Sequence, residues 1–372
     1  MENKICVYAI CKNEAKFVDR WVASMSEADY IVVLDTGSTD GTYEMLKENE
    51  NIFKIKRKVI KPWRFDVARN ESMTLVPDDA NILVCTDLDE VFTDGWADKV
   101  RAAWQEDTTR CFYPYAWSHN SAGEPTNIYM YDKIHTRDYY WIYPVHEVLW
   151  RDSGQEIPVR IDDMMLHHYA DKSKPRDYFD LLKVAVDENP DDPHIQELYA
   201  REFLNKNDID SAMDEFKKVL EMPNVNKMTM VREKLFSMLK LAQLCAKKGD
   251  FPSALMWIQK FLEEDKTYRD PYYLMAEIFN AQGFCSMAIG AVEEGDKQGS
   301  QHFDWVEDGN TYTERRDDIL SMSYYGLGDI DKAIDHCDKA LTHVPDDVRL
   351  LKNNVAFLKY KIQNESSVRL NE

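Results

Sequence analysis

The chain has 372 residues, of which 44% are hydrophobic and 30% charged, with a formal net charge of −21. That length exceeds one ordinary core and predicts two domains, while the acidic balance excludes nucleic acid as a general partner, because a polyanion would be repelled. No apolar run is long enough to span a bilayer, and the opening MENKICVYAI enters a strand-like run at once, so the reading is a cytoplasmic protein without a membrane span. The seven cysteines, Cys6, Cys11, Cys85, Cys111, Cys245, Cys285 and Cys337, include no CxxC pair and read as reduced core thiols.

In chain order, Lys4–Ile10 (KICVYAI) predicts a strand and Lys16–Met25 has helical spacing. Tyr30–Leu34 is a second strand, Thr42–Glu48 a helix, Ile52–Arg57 a third strand and Ile82–Cys85 a fourth. Arg69 and Asn70 fall on a helix before that fourth strand. Strand–helix alternation of this kind builds an α/β domain around a mostly parallel sheet with helices on both faces. Ligands bind such sheets beyond the carboxyl ends of the strands, which directs attention to Cys11–Glu14, Asp35–Gly41 and Asp87–Glu90.

From about Arg176 the β signal stops and a repeat begins. The phrases opening at Asn207, Gly249, Gly283 and Gly328 each place an alanine five positions on: Ala212, Ala254, Ala288 and Ala333. Twelve residues before these alanines stand Ala200, Ala242, Ala276 and Ser321, and nine before them Phe203, Cys245, Phe279 and Tyr324. Small residues where two helices approach, with a bulky residue a turn later, predict antiparallel helix pairs. The pattern resembles the tetratricopeptide repeat, which implies an all-α domain over 173–372 behind an α/β domain over 1–172, and a groove for peptides or a self-association surface.

The stretch Asn81–Trp96 runs from an apolar strand into Thr86-Asp87-Leu88-Asp89-Glu90. On an extended segment alternate residues share a face, so Asp87 and Asp89 are expected to project together while Leu88 turns inward. Two carboxylates aimed one way suit a hard divalent cation bridging to phosphate oxygens. The bland alternative is a solvated acidic loop. Asp35, directly after a buried strand, can accept hydrogen bonds from a base or ribose, whereas Asp40 opens a helix and is a plausible N-cap. Asn13 and Glu14 lie at the same rim, and Arg69 is suited to a pyrophosphate or a nucleobase.

Four ordered motifs, Lys12-Asn13-Glu14, Leu34 to Thr42 (LDTGSTDGT), Ala68-Arg69-Asn70 and Asp87-Leu88-Asp89-Glu90, resemble glycosyltransferase family 2, nucleotide-sugar-dependent enzymes of the Rossmann-like GT-A fold. The resemblance covers about residues 4–170. It implies that Asp35 reads the nucleotide base and that Asp89, helped by Asp87, holds Mn²⁺ or Mg²⁺ on the diphosphate as a Lewis acid for the leaving group. Ile10, Asn13, Glu14, Asn70 and Leu88 would line the donor. It also implies a histidine completing the metal shell, with His168 favoured over His167, since strand alternation lets only one of them face the site. Glu147 is the candidate general base; the rival reading has Glu147 orient the sugar while His146 contacts phosphate.

A family 2 domain joined to tetratricopeptide-like helices is similar to the SunS-type peptide glycosyltransferases, which modify bacteriocin precursors. The expected function is therefore an inverting, metal-dependent glycosyltransferase that moves a sugar from a nucleoside diphosphate sugar, UDP-linked by preference, to Ser, Thr or Cys of a peptide or protein. The helices would hold that acceptor or form a homodimer. The alternatives are an enzyme acting on a surface glycan or lipopolysaccharide core, and a non-catalytic tetratricopeptide adaptor.

Overall fold

The computed structural model describes residues 3–120, 123–171, 177–299, 302, 304 and 306–369, excepting the side chains of 126 and 364–369. The chain divides into two compact units, Met1–Glu188 and Asn189–Glu372. The boundary expected between 172 and 173 lies outside the described residues.

The first unit runs β1 (Ile5–Cys11), α1 (Val18–Met25), β2 (Tyr30–Asp35), α2 (Thr42–Glu48), β3 (Lys54–Arg57), α3 (Phe65–Met73), β4 (Ile82–Cys85), β5 (Glu90–Phe92) and α4 (Trp96–Ala103). It continues with β6 (Arg110–His119), β7 (Pro125–His135), β8 (Tyr140–Ile142), β9 (Val148–Trp150), β10 (Pro158–Arg160), β11 (Leu166–His168) and α5 (Phe179–Glu188). The main sheet has the order β3-β2-β1-β4-β7-β6-β11-β5, with β10 paired to β6, and β8–β9 form a separate hairpin. The strands β3, β2, β1 and β4 are parallel, as the alternation predicts.

Every residue of β1 is buried, because the strand is covered on both faces. Its alternate residues feed two cores. Ile5, Val7 and Ala9 join Val33, Val84 and Trp21 of α1, while Cys6, Tyr8 and Ile10 join Val32, Leu83 and Ala68 of α3. Between the fourth strand and the histidine-bearing strand at 167–168 the sheet continues through β7, which runs antiparallel to both β4 and β6.

The second unit is helical: α6 (Pro193–Asn205), α7 (Ile209–Glu221), α8 (Val231–Lys247), α9 (Phe251–Glu264), α10 (Asp270–Ala281), α11 (Cys285–Asp296), α12 (Arg315–Gly326), α13 (Ile330–His343) and α14 (Val348–Arg369). Each repeat phrase falls at the turn inside a helix pair. Asn207, Gly249, Gly283 and Gly328 all have positive φ, the left-handed conformation that ends a helix. The next residue then caps the following helix in three of the four pairs: Asp208, Asp250 and Asp329 accept from Ser211, Ser253 and Lys332 N–H. The four alanines and the four small residues twelve positions earlier are all fully buried, as close helix approach requires.

Candidate active site

Beyond β4 the chain turns: Glu90 N–H donates to the Asp87 carbonyl at 3.1 Å, so Asp87-Leu88-Asp89 is a turn and not the extended segment expected. Leu88 is nonetheless buried, and the side chains of Asp87 and Asp89 stay partly exposed, at 37% and 17%. The two aspartates have different partners. Arg69, projecting from α3, grips Asp87 with both terminal nitrogens, at 3.0 and 3.2 Å. Its Nε pairs with Glu147, and Nη1 also reaches Cys85 Sγ at 3.2 Å. A planar fork that binds one carboxylate bidentately and a second through Nε fixes both anions relative to each other.

Asp89 meets His168 instead, with Oδ2 3.3 Å from Nε2. The other ring nitrogen lies 3.2 Å from the Trp117 carbonyl. A carbonyl only accepts, so Nδ1 carries a proton and Nε2 is the atom presented to Asp89. Burial works against the imidazolium, but the hydrogen bond to Asp89 and the charges of Asp89 and Glu90 together outweigh it and raise the His168 pKa.

Under this surface lies a second layer: Glu90, the last residue of the acidic motif, and Lys133, which no motif marks. Glu90 is buried, with Oε2 accepting from Asp87 N–H at 2.9 Å and Oε1 from the Tyr115 hydroxyl at 2.9 Å. Burial, reinforced by Asp87, pushes its carboxyl up to about 7. Lys133 of β7 is also buried, its ammonium 4.7 Å from the Tyr131 ring centre. Burial and Arg69 oppose the Lys133 charge, yet Asp87 and Glu90 outweigh them and raise its pKa. Burial likewise opposes ionisation of Asp87, but Arg69 and Lys133 overcome it and hold that carboxyl well below the usual range. The only outward hint of Lys133 is one lysine in an aromatic strand, and no spacing links it to Glu90.

The remaining predicted residues lie around this centre in separate groups. Asp35 is fully buried; its Oδ1 accepts from Gly37 and Ser38 N–H (3.0 and 3.1 Å) and from Arg57 Nε (3.0 Å). Arg57 in turn lies over the Tyr43 ring at 3.9 Å. Asn13 has φ +58° and ties the two strand ends together: its side chain accepts from Thr39 N–H at 2.8 Å, and its N–H donates to Ser38 Oγ at 2.9 Å. Glu14 N–H donates to Thr42 Oγ1 at 2.8 Å. Asn70 clamps Trp141 of β8 through both its N–H and its carbonyl, each at 2.8 Å. Ile10 is buried in β1.

His146 is exposed with φ +51°, its ring 5.8 Å from that of Tyr178. His167 pairs with His119 at 3.0 Å, while its neighbour His168 meets Asp89. Among the described residues, no group of three or more His, Cys, Asp or Glu side chains is arranged to hold a metal.

Residues 6–169 match the family model described as "Glycosyl transferase family 2", which spans less than half of the chain. That match and the sheet are consistent with a GT-A glycosyltransferase domain. No curated protein matches the chain. Solved structures similar to it include tetratricopeptide proteins. One is a thermophilic TPR protein, TTC0263, of Thermus thermophilus, at 19% identity, covering 48% of this chain and 88% of that one, TM-score 0.36. Another is MamA, at 22% identity, covering 46% and 88%, TM-score 0.34. A third is YrrB, titled a TPR protein with an unusual peptide-binding site, at 14% identity, covering 50% and 87%, TM-score 0.37. The repeat described above stands on its own helices, turns and buried small residues.

Proposed function

We propose that the protein is a glycosyltransferase whose donor is a nucleoside diphosphate sugar and whose acceptor is a peptide or protein side chain. The observation that carries this reading is the pair of anchored carboxylates beyond β4, Asp87 on Arg69 and Asp89 on His168, within a segment that matches family 2. Carboxylate oxygen and imidazole Nε2 are suitable donors for Mn²⁺ or Mg²⁺, so Asp89 and His168 would hold the cation, with Asp87 beside them. A bound cation supplies Lewis-acid stabilisation of the departing diphosphate, and such ions keep phosphate oxygens and water among their ligands.

This chain's own residues do the positioning. Arg69 is nearly inaccessible, at 3% exposure, so it acts through Asp87 and Glu147 rather than by meeting the diphosphate. Glu147 is held by one oxygen on Arg69 Nε and is the group assigned to accept the acceptor's proton, a role that requires hydrogen-bond reach to the nucleophile. Asp35 and Asn13 shape the rim where the base and ribose would lie, with Asp35 braced by Arg57. The helical repeats are assigned to the acceptor, because stacked helix pairs present extended surfaces to chains. UDP as the nucleotide, inversion at the sugar, and an acceptor of the kind modified by SunS-type enzymes follow from the family resemblance.

Nucleotide release from a panel of nucleoside diphosphate sugars, with and without Mn²⁺, tests this. We expect one donor to be slowly hydrolysed in a metal-dependent way, and Asp89→Ala to abolish it. If no donor in the panel is turned over and Asp89→Ala changes nothing, the adaptor reading replaces this one.

A further inference from the structure

Helix α14 carries an apolar stripe that the described residues leave exposed. Leu350 and Phe357 of α14 are buried against the helix pair before it. On the remaining surface Val348, Leu351, Val355, Leu358 and Ile362 are 61%, 44%, 49%, 44% and 62% exposed. Their spacing is three, four, three, four, which is the seam spacing of helices that pack side by side. Five large apolar residues in register on one exposed helix face call for a partner. The seam forms a groove of about 440 Å³ lined by Val348, Leu351, Lys352, Val355, Ala356 and Lys359.

The charge of this groove identifies the partner's chemistry. The chain carries 67 acidic against 46 basic residues, yet residues 348–363 contain Arg349, Lys352, Lys359 and Lys361 and not one carboxylate. Of these, Arg349 pairs with Asp318 and Lys361 with Asp331. Among the described residues neither Lys352 nor Lys359 is paired with a carboxylate, and both stand on the same flank of the stripe, seven residues apart. A second copy laid antiparallel on this seam would bring Lys352 and Lys359 towards the same lysines of its partner, a like-charge arrangement that helix pairs avoid.

We propose that α14 docks an amphipathic helix of another protein, with apolar residues at the same three–four spacing and carboxylates along the flank that meets Lys352 and Lys359. The acidic flank neutralises the two lysines while the apolar stripe fills the groove, so charge selects the partner and burial holds it.

The test is fluorescence anisotropy on the full-length protein with two labelled probe peptides. Both have leucines at the three–four positions; one has glutamates and the other lysines at the flanking positions. The glutamate peptide should bind at least about tenfold more tightly than the lysine peptide. The double variant Lys352→Glu/Lys359→Glu should reverse that order, a result that misfolding does not produce. Val355→Asp should abolish binding of both. No binding of the glutamate peptide, or equal binding of the two, would overturn the proposal. So would a wild-type dimer in sedimentation that Val355→Asp dissociates, because the face would then belong to a second copy.

Discussion

At the carboxyl end of β4 the sheet unit gathers Arg69, Asp87, Asp89, Glu90, Lys133 and Glu147, whereas the positions that recur through the helical unit are alanine and serine at full burial. The helical unit has buried charge as well. Asp270 is fully buried and accepts from Thr311 Oγ1 (2.7 Å), Asp308 N–H (3.1 Å) and Arg315 (3.2 Å), and burial pushes its carboxyl up to about 6. There the donors come from the same chain and the group is closed off. In the sheet unit Asp87 and Asp89 keep an open side while Arg69, Glu90 and Lys133 are sealed beneath them. The contrast separates a carboxylate used as a latch from carboxylates held at a surface for something to arrive.

The largest test of that contrast is Arg69→Leu. It leaves the partly buried anions Asp87 and Glu147 without their cation, and stability of the sheet unit should fall by about 3–5 kcal/mol. Denaturant unfolding followed by hydrogen exchange reads the two units separately, and the helical unit should keep its protection. Overfilling a helix pair should cost less: Ala254→Leu at a fully buried contact is expected to destabilise the helical unit by about 1–3 kcal/mol. Equal protection of α8 and α9 in wild type and variant would refute the close-approach account.

A pH effect belongs to the sheet unit. Trp141 Nε1–H donates to the Tyr8 hydroxyl (2.8 Å), Tyr8 donates to His135 Nε2 (2.7 Å), and His135 Nδ1–H donates to the Thr136 carbonyl (2.7 Å). This chain needs a neutral imidazole, and burial depresses the His135 pKa from 6.5 to about 3. Between those values the unfolded state binds a proton that the folded state refuses. Stability is therefore lost as pH falls below about 6.5, by up to about 1.4 kcal/mol per pH unit, and the loss levels off near the folded value. The slope for wild type should exceed that for His135→Gln by that amount; identical slopes would remove His135 from the account.

The smallest effect concerns caps. Asp250→Ala should destabilise the helical unit by less than either change above in denaturant unfolding, because it removes the acceptor for Ser253 N–H. At Phe284, which opens α11 with no side-chain cap, alanine should cost nothing through capping.

Much of this was legible in the residues. The apolar run Ile82–Cys85 and the helix Thr42–Glu48 fall where their composition places them, and the small residues of the repeat mark the helix contacts one for one. The hairpin β6–β7 was not legible, because RCFYPYAWSH breaks its alternation with Pro114 and with polar tips that are consistent with a loop. Asp87, Asp89, Arg69 and His168 stood out as chemistry-bearing types at strand ends. Which carboxylate meets Arg69 and which meets His168 depends on the turn at Leu88 and on β11 pairing with β5, contacts between segments far apart in the chain. Glu90 stood in the acidic motif without an assigned role and Lys133 stood in no motif, because burial, not spacing, gives each its importance.

The central claim is that the carboxylates beyond β4 hold a cation and a nucleoside diphosphate. Titration calorimetry of UDP into the full-length protein, with and without Mn²⁺, tests it most directly when run beside Asp89→Asn. The account predicts saturable binding that requires Mn²⁺ and weakens by about ten- to a hundredfold in the variant. Absence of binding, or equal affinity in wild type and Asp89→Asn, would contradict it.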